Sequence, residues 1–424
     1  MKVPANRRLK VLVIAEAANP EWVSVPLVGW SMANALRNVA DVHIVTQVRN
    51  RDAFVRAGMV EGSDFTAIDT ESIAAPAYKF AQLLRGGKGK GWTIVTAIST
   101  LIYPFFERQV WRKFGAALKR GEYDLVHRIT PLSPTTPSPI ASKCFKAGVP
   151  FILGPLNGGL PWPPGFDSDR RKEREWLSYV RGLYRLLPNR ATTLKAAKVI
   201  IVGSRHTATE IPSVFAGKTI YEPENGIDPT RFFKAAGRAD GQVLRLCFIG
   251  RLVPYKGPDM ALQAALQLLR GKRAHLDIIG NGPMEDELRA LVEAEEIEEA
   301  VTFHGWIPHA RLHEIAVASQ VLVFPSVREF GGGAVLEAMA LGLVPVVVDY
   351  GGPGELVAMG GGIAVPLASR GKIIRATELA LLALAGDAGQ VASISTAVRA
   401  WALSNMTWPA KAKKMLTIYE AAIG

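Results

Sequence analysis

Cysteine is scarce in this chain: two residues in 424, Cys144 and Cys247. They stand far apart in sequence, and Cys247 lies in an apolar strand pattern, which excludes a disulfide framework and a thiolate metal site as organising devices. A reducing, cytoplasmic compartment fits that usage. Long apolar runs are missing as well. The apolar, uncharged stretch Gly91 to Phe106 is shorter than the roughly 20 residues that a bilayer crossing takes. The run Val11 to Ala15 is brief and followed by Glu16, which suits a first strand better than a signal peptide. No low-complexity tract or short-period repeat interrupts the sequence. RNA- and DNA-reading motifs are absent too, so nucleic acid is not an expected partner.

Acidic residues are under-represented in one half only. The chain carries 50 Lys+Arg against 38 Asp+Glu, and residues 1–230 hold 31 of the former and 19 of the latter, which is the whole of the net +12. Basic surface in that half can draw an anionic acceptor or an acidic membrane face, since such fields reach about a Debye length of 8–10 Å. The segment GWTIVTAISTLIYPFFERQVWRKF, with Arg85, Lys88, Lys90, Arg112 and Lys113 at its flanks, suits two placements. It docks on an anionic membrane surface, or it packs under its own domain with the same apolar face.

A chain of this length is too long for one ordinary core and calls for two domains of roughly 200 residues. Strand and helix signals alternate throughout: LKVLVIAEA, a helix over 30–38, DVHIVTQ, YDLVHRITP, VPFILGPLNGG and AAKVIIVGS in the first half, then LRLCFIG, AHLDIIG, AVTFHG, VLVFPS and VPVVVD with helices between them. The rhythm predicts α/β, doubly wound parallel sheets. Turn residues from Asn225 mark the passage to the second unit. The expected division is 1–215, 216–405 and a final helix over 406–424 that carries Trp408, Leu416, Tyr419 and Ala422 in helical register.

The richest stretch is PSVREFGGGAVLEAMALGLVPVVVDYGGPGEL, Pro325 to Leu356. Two carboxylates, Glu329 and Glu337, flank a glycine run that opens a helix between two strands. Amides at Gly332, Gly333 and Ala334, with Val335 next, can approach a diphosphate closely, and the positive end of the helix dipole adds attraction. Glu337 lies about one turn further on, where a carboxylate can accept from two ribose hydroxyls. A second segment, FIGRLVPYKGPDMALQA, sets Gly250, Arg251 and Lys256 before another helix. Fixed cations placed where a diphosphate's charge grows stabilise the transition state more than the ground state. A third, LDIIGNGPMEDEL, carries Gly280 and Gly282 but has Glu285 where a dinucleotide fingerprint has its third glycine. A dehydrogenase reading would also leave both carboxylates unexplained.

Together these motifs resemble the retaining glycosyltransferases of family 4, strongly after Asn225 and loosely before it. The resemblance rests on the two glutamates, on LEAMALGLVPVVV after them and on the Arg251–Lys256 segment. The usual order is Glu, Gly, Phe, Gly, whereas here Phe330 follows Glu329 and three glycines come next. The resemblance implies the GT-B fold, two facing Rossmann-like domains with an interdomain cleft, and a final helix that returns to the first domain. It implies a nucleoside diphosphate sugar as donor, no cofactor and no metal. His304, His309 and His313 stand at metal-like spacing without the carboxylate motif of a zincin.

In such an enzyme Arg251 and Lys256 hold the donor's phosphates, Glu337 anchors ribose and Glu329 positions the sugar. Gly29, Gly250, Gly282, Ile307, Gly332, Gly333, Ala334 and Val335 line the donor, with Ile307 of HGWIP near the base. His127 matches the first of two family histidines, while Ile129 replaces the second. His127 therefore stands either as a catalytic residue beside Glu329, Arg251 and Lys256 or as a strand-end histidine, with Arg128 and Thr130 as rivals. Asn157 and Gly158 of GPLNGG are expected on the acceptor side of the cleft. The activity expected is retaining transfer to a saccharide or polyprenyl-linked acceptor in bacterial surface polysaccharide assembly, at the inner face of the membrane. The alternative is a sugar-nucleotide-binding partner without turnover.

Overall fold

A computed structural model describes residues 7–72, 92–172, 189–232, 235, 243–308 and 311–424. The chain forms two compact units, one of Met1–Gly159, Arg171–Glu224 and Trp408–Gly424, the other of Leu160–Arg170 and Asn225–Thr407. The seam expected at residue 215 thus falls after Glu224, and the last helix starts the return at Trp408. The excursion Leu160–Arg170 has no counterpart in the local pattern, because contacts far along the chain hold it.

The first unit is built on a seven-stranded sheet in the order β3-β2-β1-β4-β5-β6-β7. Its strands are β1 Lys10–Ala15, β2 Asp41–Gln47, β3 Phe65–Ile68, β4 Leu125–Thr130, β5 Phe151–Leu156, β6 Val199–Val202 and β7 Thr219–Tyr221. The pairings are parallel. In β1, Val11, Val13 and Ala15 enter a core with Met32 and Leu36 of helix Val25–Leu36 and Met415 and Tyr419 of helix Trp408–Ile423. Leu12 and Ile14 enter the opposite core with Phe106 and Val110 of helix Trp92–Lys119 and Ile140 of helix Pro139–Lys146. Strand side chains alternate, so a sheet covered on both faces needs an apolar residue at every position. VLVIA supplies them, and each buried aliphatic side chain contributes roughly 1.5–3 kcal/mol.

Helix Trp92–Lys119 turns Tyr103, Phe106, Val110, Phe114 and Leu118 into that second core. These residues of the segment pack into a domain core, while Arg85, Lys88, Lys90 and Gly91 lie outside the described residues. Among the described residues, no single helix is long and apolar enough to cross a membrane.

The second unit carries a six-stranded sheet in the order β10-β9-β8-β11-β12-β13. Its strands are β8 Leu244–Ile249, β9 Ala274–Ile279, β10 Val301–Gly305, β11 Val321–Phe324, β12 Val344–Val348 and β13 Ile363–Val365. β8 pairs with β9 over Leu244↔Ala274 to Ile249↔Ile279, and with β11 through Val321↔Leu246 and Leu322↔Cys247. Between β8 and β11 the strand order reverses, so the loops leaving their carboxyl ends part to opposite sides and open a crevice. One of those loops is Gly250–Gly257 and the other is Pro325–Gly332. The fold therefore delivers both charged motifs to one edge of one sheet.

Candidate active site

The loop after β8 runs through the short turn Pro254–Lys256 to Gly257, which caps helix Pro258–Arg270 with φ 70°. The loop after β11 is tied to it: Val327 N–H donates to Tyr255 O at 2.9 Å, and Ser326 Oγ donates to the same carbonyl at 3.1 Å. These bonds set Lys256 opposite Glu329, and the Lys256 ammonium donates to the Glu329 carboxylate. The pair is only 16% and 21% exposed at its side chains, so water screens it less than a surface pair. Lys256 Nζ also stands 5.1 Å from the Phe324 ring centre, where the ring's negative face favours a cation. Arg251 is exposed and has no ion-pair or hydrogen-bond partner for its guanidinium among the described residues.

Gly332 caps helix Gly333–Leu341 at φ 62°, a left-handed conformation that glycine adopts at little cost. A Cβ there would also lie 2.9 Å from Leu356 Cδ1 and 3.1 Å from Pro353 N. The first ladder bond is Leu336 N–H to Gly332 O at 3.0 Å, so the amides of Gly333, Ala334 and Val335 precede the ladder at the positive end of the helix. Gly333 and Ala334 keep partial exposure while Val335 is buried in the core, leaving its amide rather than its side chain for a ligand. Glu337 follows on the same helix, partly exposed. Two cations, two carboxylates and a helix start thus line the edge where β8 and β11 part, and that set can take a diphosphate and a polyhydroxylated group together.

Gly250 follows β8, its amide donating to Ile279 O at 3.0 Å. Gly282 packs against the same loop, and a Cβ there would fall 2.4 Å from Leu252 O, so this glycine is required by loop-to-loop contact. Ile307 is partly buried against the core beside Trp306, which is 68% exposed. His304 Nε2–H donates to Asp277 Oδ1 at 2.8 Å, and Asp277 is also held by Arg245 at 3.0 Å. His313 lies against the Phe232 ring, and His309 is outside the described residues. Among the described residues no group of three or more potential ligands is placed to hold a metal ion.

Motif reading passes over two residues here. Arg328, next to Glu329, is 8% exposed, with its guanidinium 4.9 Å from the Trp162 ring centre and 5.3 Å from that of Phe330. Trp162 comes from the excursion Leu160–Arg170 and meets Tyr255 edge-on at 6.0 Å. Tyr350 OH anchors the same excursion by donating to Pro161 O at 2.8 Å. Burial pushes the Tyr350 phenol up, and the Arg328 charge pulls it the other way. The available signal was an arginine directly before the first glutamate and a tryptophan among prolines.

In the first unit, His127 is fully buried on β4. Its Nε2 stands 2.7 Å from Gly154 O, which can only accept, so Nε2 carries the proton and Nδ1 accepts from Tyr419 OH at 2.6 Å. Burial, first of all, lowers its pKa to about 4. Both ring nitrogens are used inside the core, so this geometry is that of the strand histidine and not of a catalytic one. Its rivals are engaged too: Arg128 donates to Thr136 O and Pro131 O at 2.8 and 2.9 Å, and Thr130 Oγ1 donates to Ala17 O at 3.2 Å. Gly29 lets helix Val25–Leu36 touch the loop after β1, since a Cβ would lie 2.2 Å from Ala17 O. Asn157 is buried and donates to Glu224 Oε1 at 2.6 Å while its own oxygen accepts from Gly158 N–H at 2.7 Å. Gly158 O accepts from Thr207 Oγ1 at 3.1 Å, so both residues brace the end of β5.

Two doubly wound parallel sheets of this order make the GT-B fold, with the charged loops at the switch point of the second. The Anabaena protein Alr3699/HepE, crystallised with UDP and glucose, has this fold with a TM-score of 0.58 at 17% identity, over 97% of this chain and 99% of that one. Residues 230–382 match the family model of group 1 glycosyl transferases. The chain is similar to the D-inositol 3-phosphate glycosyltransferase of Nocardia farcinica, 34% identical over 215 residues, 47% of this chain and 46% of that protein. It is also similar to the putative colanic acid biosynthesis glycosyltransferase WcaL of Salmonella typhimurium, 32% identical over 142 residues, 32% of this chain and 35% of that protein. The chain thus spans less than half the length of these two curated relatives.

Proposed function

We propose that this chain is a retaining glycosyltransferase that moves a sugar from a nucleoside diphosphate sugar to a saccharide or lipid-linked acceptor. The observation that carries the reading is the meeting of Lys256 and Glu329 at the β8–β11 edge, beside the start of helix Gly333–Leu341. In the structure the two charges satisfy one another. When a diphosphate arrives, Lys256, Arg251 and the amides of Gly333 to Val335 take up its charge, and Glu329 is released to accept from sugar hydroxyls. Glu337 accepts from ribose. The bond from the anomeric carbon to the phosphate oxygen breaks, the acceptor oxygen bonds to that carbon on the same face, and the acceptor's proton passes to the leaving phosphate. No side chain is needed as nucleophile, which agrees with a His127 whose nitrogens are both committed.

The match of residues 230–382 to group 1 glycosyl transferases supports this reading, as does WcaL, whose name points to colanic acid biosynthesis. The basic first unit suits a phosphate-bearing carrier at the inner membrane face. A panel of UDP, GDP and ADP sugars tested for thermal stabilisation selects the donor, and product formation with that donor tests turnover. Glu329→Ala and Lys256→Ala are each expected to abolish transfer with the fold intact. Full activity in either variant contradicts the assignment, and stabilisation without any product would make the chain a sugar-nucleotide-binding partner instead.

A further inference from the structure

Glu329 is held by more than its ion pair. Its carbonyl accepts from Gly352 N–H at 3.1 Å, and a Cβ on Gly351 would stand 2.4 Å from that same carbonyl and 2.6 Å from Leu160 Cδ2. The side chain just before it, Arg328, is buried between Trp162 and Phe330, while Glu329 meets Lys256. Pinning the 328 side chain pins the backbone from which the carboxylate springs. A group that has to hold a sugar in reactive geometry tolerates errors of only about 0.5 Å. One wall of the slot, Trp162, belongs to a segment remote in sequence and tied down through Tyr350 OH and Pro161 O.

We propose that Trp162 and Arg328 are positioning residues for Glu329, the stacked guanidinium fixing the carboxylate where it meets the donor's sugar. This rests on the reading of the β8–β11 edge as the donor site. The diphosphate-holding groups, Arg251, Lys256 and the helix amides, lie outside the stack. Loss of the stack therefore weakens recognition of the sugar and leaves recognition of the diphosphate in place.

The test compares wild type with Trp162→Leu, Trp162→Phe and Arg328→Lys. Calorimetry with the free nucleoside diphosphate and with the selected sugar nucleotide gives a ratio of affinities, and steady-state kinetics give kcat and KM. Trp162→Leu is expected to lower kcat at least 10-fold and to erase the extra affinity for the sugar nucleotide, with the Kd for free diphosphate changed less than 2-fold. Trp162→Phe keeps an aromatic face and is expected to restore kcat to within 3-fold of wild type, while Arg328→Lys, which cannot stack as a plane, is expected to follow Trp162→Leu. Unchanged kcat in Trp162→Leu overturns the proposal, and so does a loss shared equally by free diphosphate and sugar nucleotide. A wild-type chain that binds no nucleoside diphosphate would sink the donor-site reading itself, a different result from normal donor binding with an indifferent Trp162.

Discussion

His127 offers a test in which sign and size both follow from geometry. The folded state holds the ring neutral, its pKa lowered to about 4 mainly by burial, whereas an unfolded chain has a histidine near 6.5. Between those values the unfolded chain binds the extra proton, so this histidine's contribution is fully present above pH 6.5 and is lost as pH falls toward 4. The two values give a loss of about 2 kcal/mol on going from pH 7 to pH 5 and about 3 kcal/mol at pH 4. The ring is fully enclosed by Tyr419 OH and Gly154 O, so solvent screening does not reduce the figure. NMR titration of histidine-labelled protein, with His127→Gln to assign the signal, is expected to show one ring that stays neutral down to pH 5 with its proton on Nε2. The unfolding free energy of wild type should fall more steeply with acid than that of His127→Gln. A His127 ring that titrates between pH 6 and 7, or equal acid sensitivity in both proteins, refutes the argument.

Lys411 is fully buried, its ammonium held by the Glu222 carboxylate and Pro223 O, with Lys414 Nζ a further 3.6 Å from Glu222. Lys411→Met is expected to cost about 3 kcal/mol, the lower end for a broken buried pair because Lys414 still faces Glu222, and adding Glu222→Gln should recover part of it. Denaturant unfolding checks this, and a cost below about 1 kcal/mol would show that the pair is neutral on balance. Burial pushes the Cys247 thiol up to about 12 and the Cys144 thiol higher still. Neither is expected to react with a thiol-specific disulfide reagent at pH 8 until denaturant is added, so rapid labelling of the native chain would contradict their placement.

Strands in the middle of each sheet were legible because burial on both faces writes unbroken apolar runs such as VLVIA and VPVVV. Short edge strands were not. β7 is three residues, TIY, none of them buried, and β13 is IAV, too brief to show a period. The charged site was legible for a related reason: its members lie in two contiguous segments whose meeting follows from the switch between β8 and β11. Arg328 and Trp162 were not, because their partnership joins positions that no local pattern connects. His127 stayed open between two roles, since a buried, doubly bonded imidazole and a working one look alike in a string of letters.

The excursion Leu160–Arg170 bears on how this architecture can be recombined. Phe166 fills the second unit's core, and Asp169 with Asp259 grips Arg370 inside that unit. A chimera spliced only at Asn225 and Thr407 would inherit its host's version of those eleven residues, and with it a foreign wall beside the motif loop. Exchanging the unit whole takes a third graft, from a stretch that precedes the apparent seam.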